Sequence, residues 1–355
     1  MAGGKSGSSA SFASFPYDPG RGALVLREAA RYGLHVARIM SMGENPGWLH
    51  VWQSQPTAFW RGHDAMMEAA ARYGVYLVPS LVWSAVPFAQ ATGNTNAEVF
   101  QRGSPGYALM MRWVHEYVTR YAAHPSVLMW ELGNEWNLAV GADGGGGPFG
   151  TGLYFQTFAG LQAAMRDMVA VIKGIDPLHL VESGWASPAG FAASSIAQQQ
   201  QLFVEMNREV DVASLHIYPL QHATPPGLTG LYKNAAAQLH LPAPQDTGAW
   251  VKGIWPVKTY LDAMSQAARR QLHKPVIVGE FGENLVMDPH ATFLRAVLAS
   301  WAEGTIPLAL VWDWMAHSGD YNSVDPNRRA AVADLFRRYA RKHPRPTTAG
   351  SGGHP

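Results

Sequence analysis

The chain has 355 residues, 47% hydrophobic and 15% charged, and its 27 Lys and Arg against 26 Asp and Glu leave a formal net charge of +1. That composition excludes a mainly disordered chain. The charge balance offers no field to gather nucleic acid or an anionic membrane, the one dense basic run being the short stretch 337–345. Cys is absent, which removes thiol nucleophiles, cysteine zinc sites and disulfides together.

In chain order, residues 1–11 are Gly- and Ser-rich and 345–355 show no apolar periodicity, so both read as flexible tails around one domain at 12–344. No stretch approaches the ~20 apolar residues of a membrane span. Residues 1–10 lack an apolar signal core, yet a secreted protein without its leader would have the same composition, so the compartment stays open. Apolar runs without strict in-out alternation predict strands at 34–41, 75–83, 127–135, 179–184, 212–218, 276–281 and 309–314, as in a parallel sheet covered on both faces. Helices are predicted between them at 58–73, 108–122, 154–172, 257–272, 290–303 and 327–342.

One fragment recurs 41 residues apart, Ala30-Arg31-Tyr32-Gly33-Leu34 and Ala71-Arg72-Tyr73-Gly74-Val75. In each copy a helix stops, Gly takes the left-handed position and a strand begins, so one βα unit is seen twice. The economical architecture is a (β/α)8 TIM barrel, with a doubly wound open sheet as the alternative. Only residues 10–15 offer a first strand, which is therefore expected to be abbreviated or missing.

In such barrels the chemistry sits where strands end. Arg38, Trp83, Asn134-Glu135-Trp136, His216-Ile217-Tyr218, Glu280 and Trp312-Asp313-Trp314 occupy those ends. Glu135 and Glu280 close two different apolar strands. Two carboxyls about 5–5.5 Å apart, one ionised and one protonated, are the apparatus of a retaining glycosidase. Arg38, His216 and Tyr218 suit the ionised partner, while an apolar wall and the facing carboxylate suit the acid.

This set resembles the clan A (β/α)8 retaining glycoside hydrolases and is most similar to glycoside hydrolase family 5, with matches spread over strands two to eight. The resemblance implies that Glu135 is the general acid/base, Glu280 the nucleophile, and Asn134 the partner of the sugar's 2-substituent. It also implies that Arg38 and Tyr218 hold Glu280 as a carboxylate, that His216 sits beside the acid/base or touches substrate, and that Trp312 floors the cleavage subsite. Many family 5 cellulases carry a His at the end of strand three, where this chain has Ser80-Leu81-Val82-Trp83, and that strand together with Ser214 to Pro219 looks closer to the family's mannanases. Trp136 stands where a Pro commonly follows the catalytic Glu. The expected substrate is a β-linked polysaccharide, cut by an endo-acting β-1,4-mannanase or β-1,4-glucanase acting as a monomer without organic cofactor or catalytic metal. An exo-acting glycosidase, a disabled carbohydrate-binding barrel and a metal-dependent barrel hydrolase are the alternatives.

The remaining polar and aromatic residues have plainer expectations. Glu131, interior to its strand, is assigned to a barrel hydrogen-bond network, and Glu283 to a solvated or substrate-rim position. Asp313, His317 and Asp320 lack any metal-ligand spacing and are assigned to a polar rim. The Gly-rich run 141–150 lacks the Lys-Ser/Thr ending of a phosphate loop and reads as a loop over the cleft. Of Trp48, Trp52, Trp83, Trp136, Trp185, Trp255 and Trp314, about half are assigned to the core, and Trp83, Trp136 and Trp314 to sugar stacking.

Overall fold

The structure is a computed structural model, and it describes residues 19–141, 152–188, 195–219, 249–251, 255–286, 288–315 and 324–342. Both tails, the strand expected at 10–15, most of the Gly-rich run, and His317 and Asp320 lie outside the described residues. Among those described, no helix is long and apolar enough to cross a membrane.

The strands are β1 (Val36–Met40), β2 (Tyr76–Val82), β3 (Met129–Gly133), β4 (Leu180–Glu182), β5 (Ala213–Ile217), β6 (Trp250–Val251), β7 (Trp255–Pro256), β8 (Val276–Phe281) and β9 (Ala309–Val311). The helices are α1 (Pro19–Arg31), α2 (Pro46–Ser54), α3 (Pro56–Tyr73), α4 (Val86–Thr92), α5 (Pro105–Tyr121), α6 (Phe158–Ile175), α7 (Ile196–Met206), α8 (Val257–Ala267), α9 (Thr292–Ala302) and α10 (Ala330–Lys342). The repeated fragment ends α1 and α3 as expected: Gly33 and Gly74 take φ of 79° and 65°, and Gly74 N–H bonds back to Ala70 and Ala71. The helix expected from 154 begins instead at Phe158, where the Thr157 side chain caps the backbone N–H of Gly160. Tyr154 and Phe155 are taken from it because they pack, buried, against Phe100.

Among the described residues, seven barrel strands pair in parallel, in the orders β1-β2-β3-β4 and β5-β8-β9, while β6 and β7 form a separate antiparallel pair. Parallel bridges Glu182 to Val212 and Ala186 to His216 stitch β4 to β5. Between β9 and β1 lies a cavity of about 600 Å³ whose walls include Val36, Met40, Leu308, Leu310, Trp301 and Phe336.

Side-chain alternation along the strands layers the barrel interior. Val36, Val78, Met129, Val212, Ile277 and Leu308 form an apolar floor separate from the main core under the helices. Two residues further along their strands come Arg38, Ser80, Glu131 and Ser214, all buried, so a polar layer lies above the floor. The reactive groups gather at the strand ends above it.

Candidate active site

Glu280 reaches the interior through a break in alternation. Leu215 pairs with Val278, but His216 pairs with Glu280, so Gly279 is the extra residue of a bulge that turns Glu280 inward. Gly279 is itself required: a Cβ there would stand 2.6 Å from Ser214 Oγ and 3.2 Å from His216 Nε2. Glu135 leaves β3 with φ of 53°, a left-handed conformation that a side chain adopts at some cost and that functional sites often retain. Its backbone N–H donates to Gly184 O at 2.8 Å.

Around these two carboxylates the partners divide. Tyr218 OH donates to Glu280 Oε1, and Arg38 Nη1 donates to Glu280 Oε2 at 2.7 Å. Arg38 also donates from Nε and Nη2 to Glu131, and from Nη2 to Asn134 Oδ1 at 2.8 Å. His216 Nδ1 lies 3.0 Å from Glu135 Oε1 and 3.6 Å from Glu280 Oε2. Ligand atoms of Glu135, His216 and Glu280 all lie within 4.8 Å of one another. Two carboxylates and an imidazole would suffice in number for a cation, but both Glu280 oxygens already accept from Arg38 and Tyr218, which is carboxylate positioning rather than ligation.

Burial raises the Glu280 carboxyl above its ordinary range; His216 and Arg38 pull it down, Glu135 pushes it up, and the Tyr218 hydrogen bond lowers it. Burial and the neighbouring Glu280 charge push the Tyr218 phenol well up, so it stays a donor. Glu131 is held low: burial opposes ionisation, but the charge and hydrogen bonds of Arg38 prevail. Arg38 is locked as a cation by Glu131 and Glu280 in spite of its burial.

The expected site residues thus converge in part. Arg38, Asn134, Glu135, His216, Tyr218 and Glu280 share one cluster, and Trp312 stacks on Trp83 with ring centroids 5.6 Å apart. Trp83 is buried, with the Arg38 guanidinium 4.5 Å over its ring, so that face holds an arginine instead of a sugar. Trp136 is 0% exposed, donates to Val82 O, and packs among Phe100, Phe155 and Trp185; Trp314 is buried between Tyr32 and Phe336. Neither is open to a stacking sugar. All seven tryptophans divided between core and cleft by the sequence are buried.

Two rim assignments also change. Glu283 is buried and accepts from the backbone N–H groups of Phe293 and Leu294, both at 3.1 Å, capping the start of α9. Asp313 is 0% exposed, beyond the cis Trp312-Asp313 peptide. One residue escaped the sequence reading altogether: Glu182 on β4, fully buried and in register with Glu131. The signal was a lone carboxylate in the apolar strand Leu180-Val181-Glu182.

Residues 50–338 match the family described as glycosyl hydrolases family 2, TIM barrel domain. The chain is 27% identical over 305 residues to mannan endo-1,4-beta-mannosidase 1 of Oryza sativa subsp. japonica, covering 77% of this chain and 62% of that protein. It is 22% identical over 307 residues to mannan endo-1,4-beta-mannosidase 7 of Arabidopsis thaliana, with the same 77% and 62% coverage. The chain therefore spans 62% of the length of these curated relatives. The endo-1,4-beta-D-mannanase of Thermotoga petrophila RKU-1 superposes with a TM-score of 0.65 at 17% identity, covering 89% of this chain and 94% of that one. A glycoside hydrolase family 5 mannosidase of Rhizomucor miehei superposes at 0.57 and 14% identity, covering 90% and 86%. These structural likenesses establish the TIM barrel fold. With the family match extending over most of its length, the chain belongs to the glycosyl hydrolases of the family 2 TIM barrel domain family.

Proposed function

We propose that this protein is a retaining glycoside hydrolase that cleaves internal β-1,4 linkages of mannan, with Glu280 as nucleophile and Glu135 as acid/base. The observation that carries the reading is the carboxylate geometry: oxygens of Glu135 and Glu280 within 4.8 Å, a separation suited to double displacement rather than to a water held between the two. The names of the curated relatives support mannan as the substrate.

In the first step a Glu280 oxygen attacks the anomeric carbon, the glycosidic C–O bond breaks, and the Glu135 proton goes to the leaving oxygen. Arg38 and Tyr218 keep the attacking carboxylate aimed and, until it attacks, charged. In the second step water attacks the same carbon, Glu135 takes the water's proton, and the bond to Glu280 breaks. His216 orients Glu135 through Nδ1, and the Asn134 amide, its oxygen held by Arg38, turns its N–H groups to the sugar's 2-hydroxyl. The half-buried Trp312 floors the subsite with the C–H face of the ring above it.

The test is to incubate the protein with linear mannan, galactomannan, a soluble cellulose derivative, xylan and aryl β-mannoside. Product sizes and, by proton NMR, the first anomer formed are then followed. Short manno-oligosaccharides released first as the β-anomer are expected. Faster turnover of the cellulose derivative would replace the substrate class, and a first-formed α-anomer would remove Glu280 as nucleophile.

A further inference from the structure

Beneath the two mouth carboxylates lies a second carboxyl pair for which the proposed chemistry has no direct use. Glu131 and Glu182 are register partners on adjacent parallel strands, so their side chains leave the same face of the sheet, and both are 0% exposed. Two like charges placed side by side without solvent would be strongly destabilising. The contacts show how the conflict is resolved. Both Glu131 oxygens accept from Arg38, one from Nε and the other from Nη2. Glu182 Oε2 accepts from the Gly184 N–H at 2.7 Å, while Oε1 is buried without a backbone donor, the Glu131 carboxyl and the Ser214 hydroxyl being the side chains that act on this carboxyl. A proton on this carboxyl, hydrogen-bonded to Glu131, supplies the missing partner and removes the second charge.

We propose that Glu182 is a positioning residue: its carboxyl retains a proton, donates it to Glu131, and leaves Glu131 as the single anion that clamps Arg38 beneath Glu280. This rests on the reading of Glu280 as nucleophile, although the shared proton itself does not. Charged or titratable neighbours acting on the pair are Arg38 and His216, with Ser214 as the polar neighbour on β5, and Arg38 in turn pairs with Glu280. Burial first, and then the adjacent Glu131 charge, push Glu182 well above the ordinary carboxylate range, which agrees with the geometry. Close packing keeps the pair in place: a Cβ on Gly184, at φ +76°, would stand 2.7 Å from Glu131 Cδ.

The consequence is a guanidinium whose three donor directions are fixed by Glu131, Asn134 and Glu280 together. If Glu182 were ionised, it would compete for Arg38 and its charge would raise Glu280 further. If it were absent, Glu131 would lose the donor that balances Arg38 on its other side.

The experiment compares the full chain with Glu182→Gln and Glu182→Ala. Gln keeps a donor toward Glu131 and cannot ionise, so its kcat/KM on mannan is expected within about threefold of the parent, with the acid limb of the pH profile unmoved. Ala removes the donor, and kcat is expected to fall at least about tenfold with KM little changed and the acid limb shifted to higher pH. Infrared difference spectra of parent minus Glu182→Gln at about pH 8, where an ordinary Glu is ionised, are expected to show a protonated-carboxyl band. A missing band, or an acid limb displaced by Glu182→Gln, would overturn the proposal. Should Glu182→Ala fail to fold by circular dichroism, the Gln variant and the band decide. Should the parent cleave no glycan, the hydrolase reading falls, and the band alone decides this one.

Discussion

The two carboxyl pairs of this barrel are made of the same side chain and behave differently because of where the strands put them. Glu131 and Glu182 are neighbours by register on β3 and β4, sealed from solvent on a shared face. Glu135 and Glu280 come from β3 and β8, strands that do not pair, and their side chains keep 19% and 8% of their accessibility. Adjacency leaves the lower pair one choice, a shared proton. Opposition across the mouth lets each upper carboxylate acquire its own partners, His216 for Glu135, Arg38 and Tyr218 for Glu280, and so a different state. Arg38 is the element common to both pairs.

The comparison breaks most sharply if either upper carboxylate is removed. Glu280→Ala should cost more than about 10⁴-fold in kcat on any substrate, because the covalent step disappears. Azide filling the vacated space should attack from below and yield the α-glycosyl azide. Glu135→Ala should cost about 10²- to 10⁴-fold on mannan but far less on an aryl mannoside whose leaving group needs no proton, and azide should there give the β-product. The same azide anomer from both variants, or equal losses on both substrates, would mean that the two roles are not divided as the geometry divides them.

A smaller change sharpens the electrostatic side. Tyr218→Phe deletes one donor to the Glu280 carboxylate, a hydrogen bond to a charged group worth about 1.5–3 kcal/mol, or roughly ten- to hundredfold in kcat/KM. Its sign follows from the environment. Glu280 is already raised by burial, and losing a donor to its charged form raises it further, so the acid limb should move up by about one unit or more. A limb that stays in place while kcat falls would assign Tyr218 to substrate contact alone.

Much of this arrangement was legible in the sequence because barrel strands announce themselves as apolar runs and their ends carry the chemistry. Asn134, Glu135, Tyr218 and Glu280 each follow or close such a run, Arg38 and His216 lie within one, and the structure brings all six together. Three things were not legible. Strand-end position does not say which way a large ring turns: Trp136 follows Glu135 directly, yet the left-handed turn at Glu135 swings it beneath Val82 and into the core. Alternation alone would have pointed Glu280 outward with Val276 and Val278, and only the bulge at Gly279 reverses it. Glu182 was invisible as a partner because register between β3 and β4 depends on where the intervening helix returns the chain, which the periodicity of neither strand encodes.

The smallest expected effect separates the mouth from its surroundings. Glu283 follows Glu280 by three residues, yet it points into the start of α9 and accepts two backbone N–H groups there. Burial outweighs those bonds and the nearby Asp288 adds repulsion, so its carboxyl is pushed up to about 7 from 4.5. The folded state then holds this proton more tightly than the unfolded chain does. Its stabilising contribution is full below about pH 4.5 and is lost as pH rises through about 7, by at most about 3 kcal/mol. Glu283→Gln keeps an acceptor for the helix and cannot ionise, so urea unfolding of the variant should show a flatter dependence across that window while the pH profile of mannan cleavage keeps its shape. Parallel stability curves for parent and variant would show that Glu283 titrates normally. A displaced activity profile would instead join it to the electrostatics of Glu280, from which its hydrogen bonds to α9 set it apart.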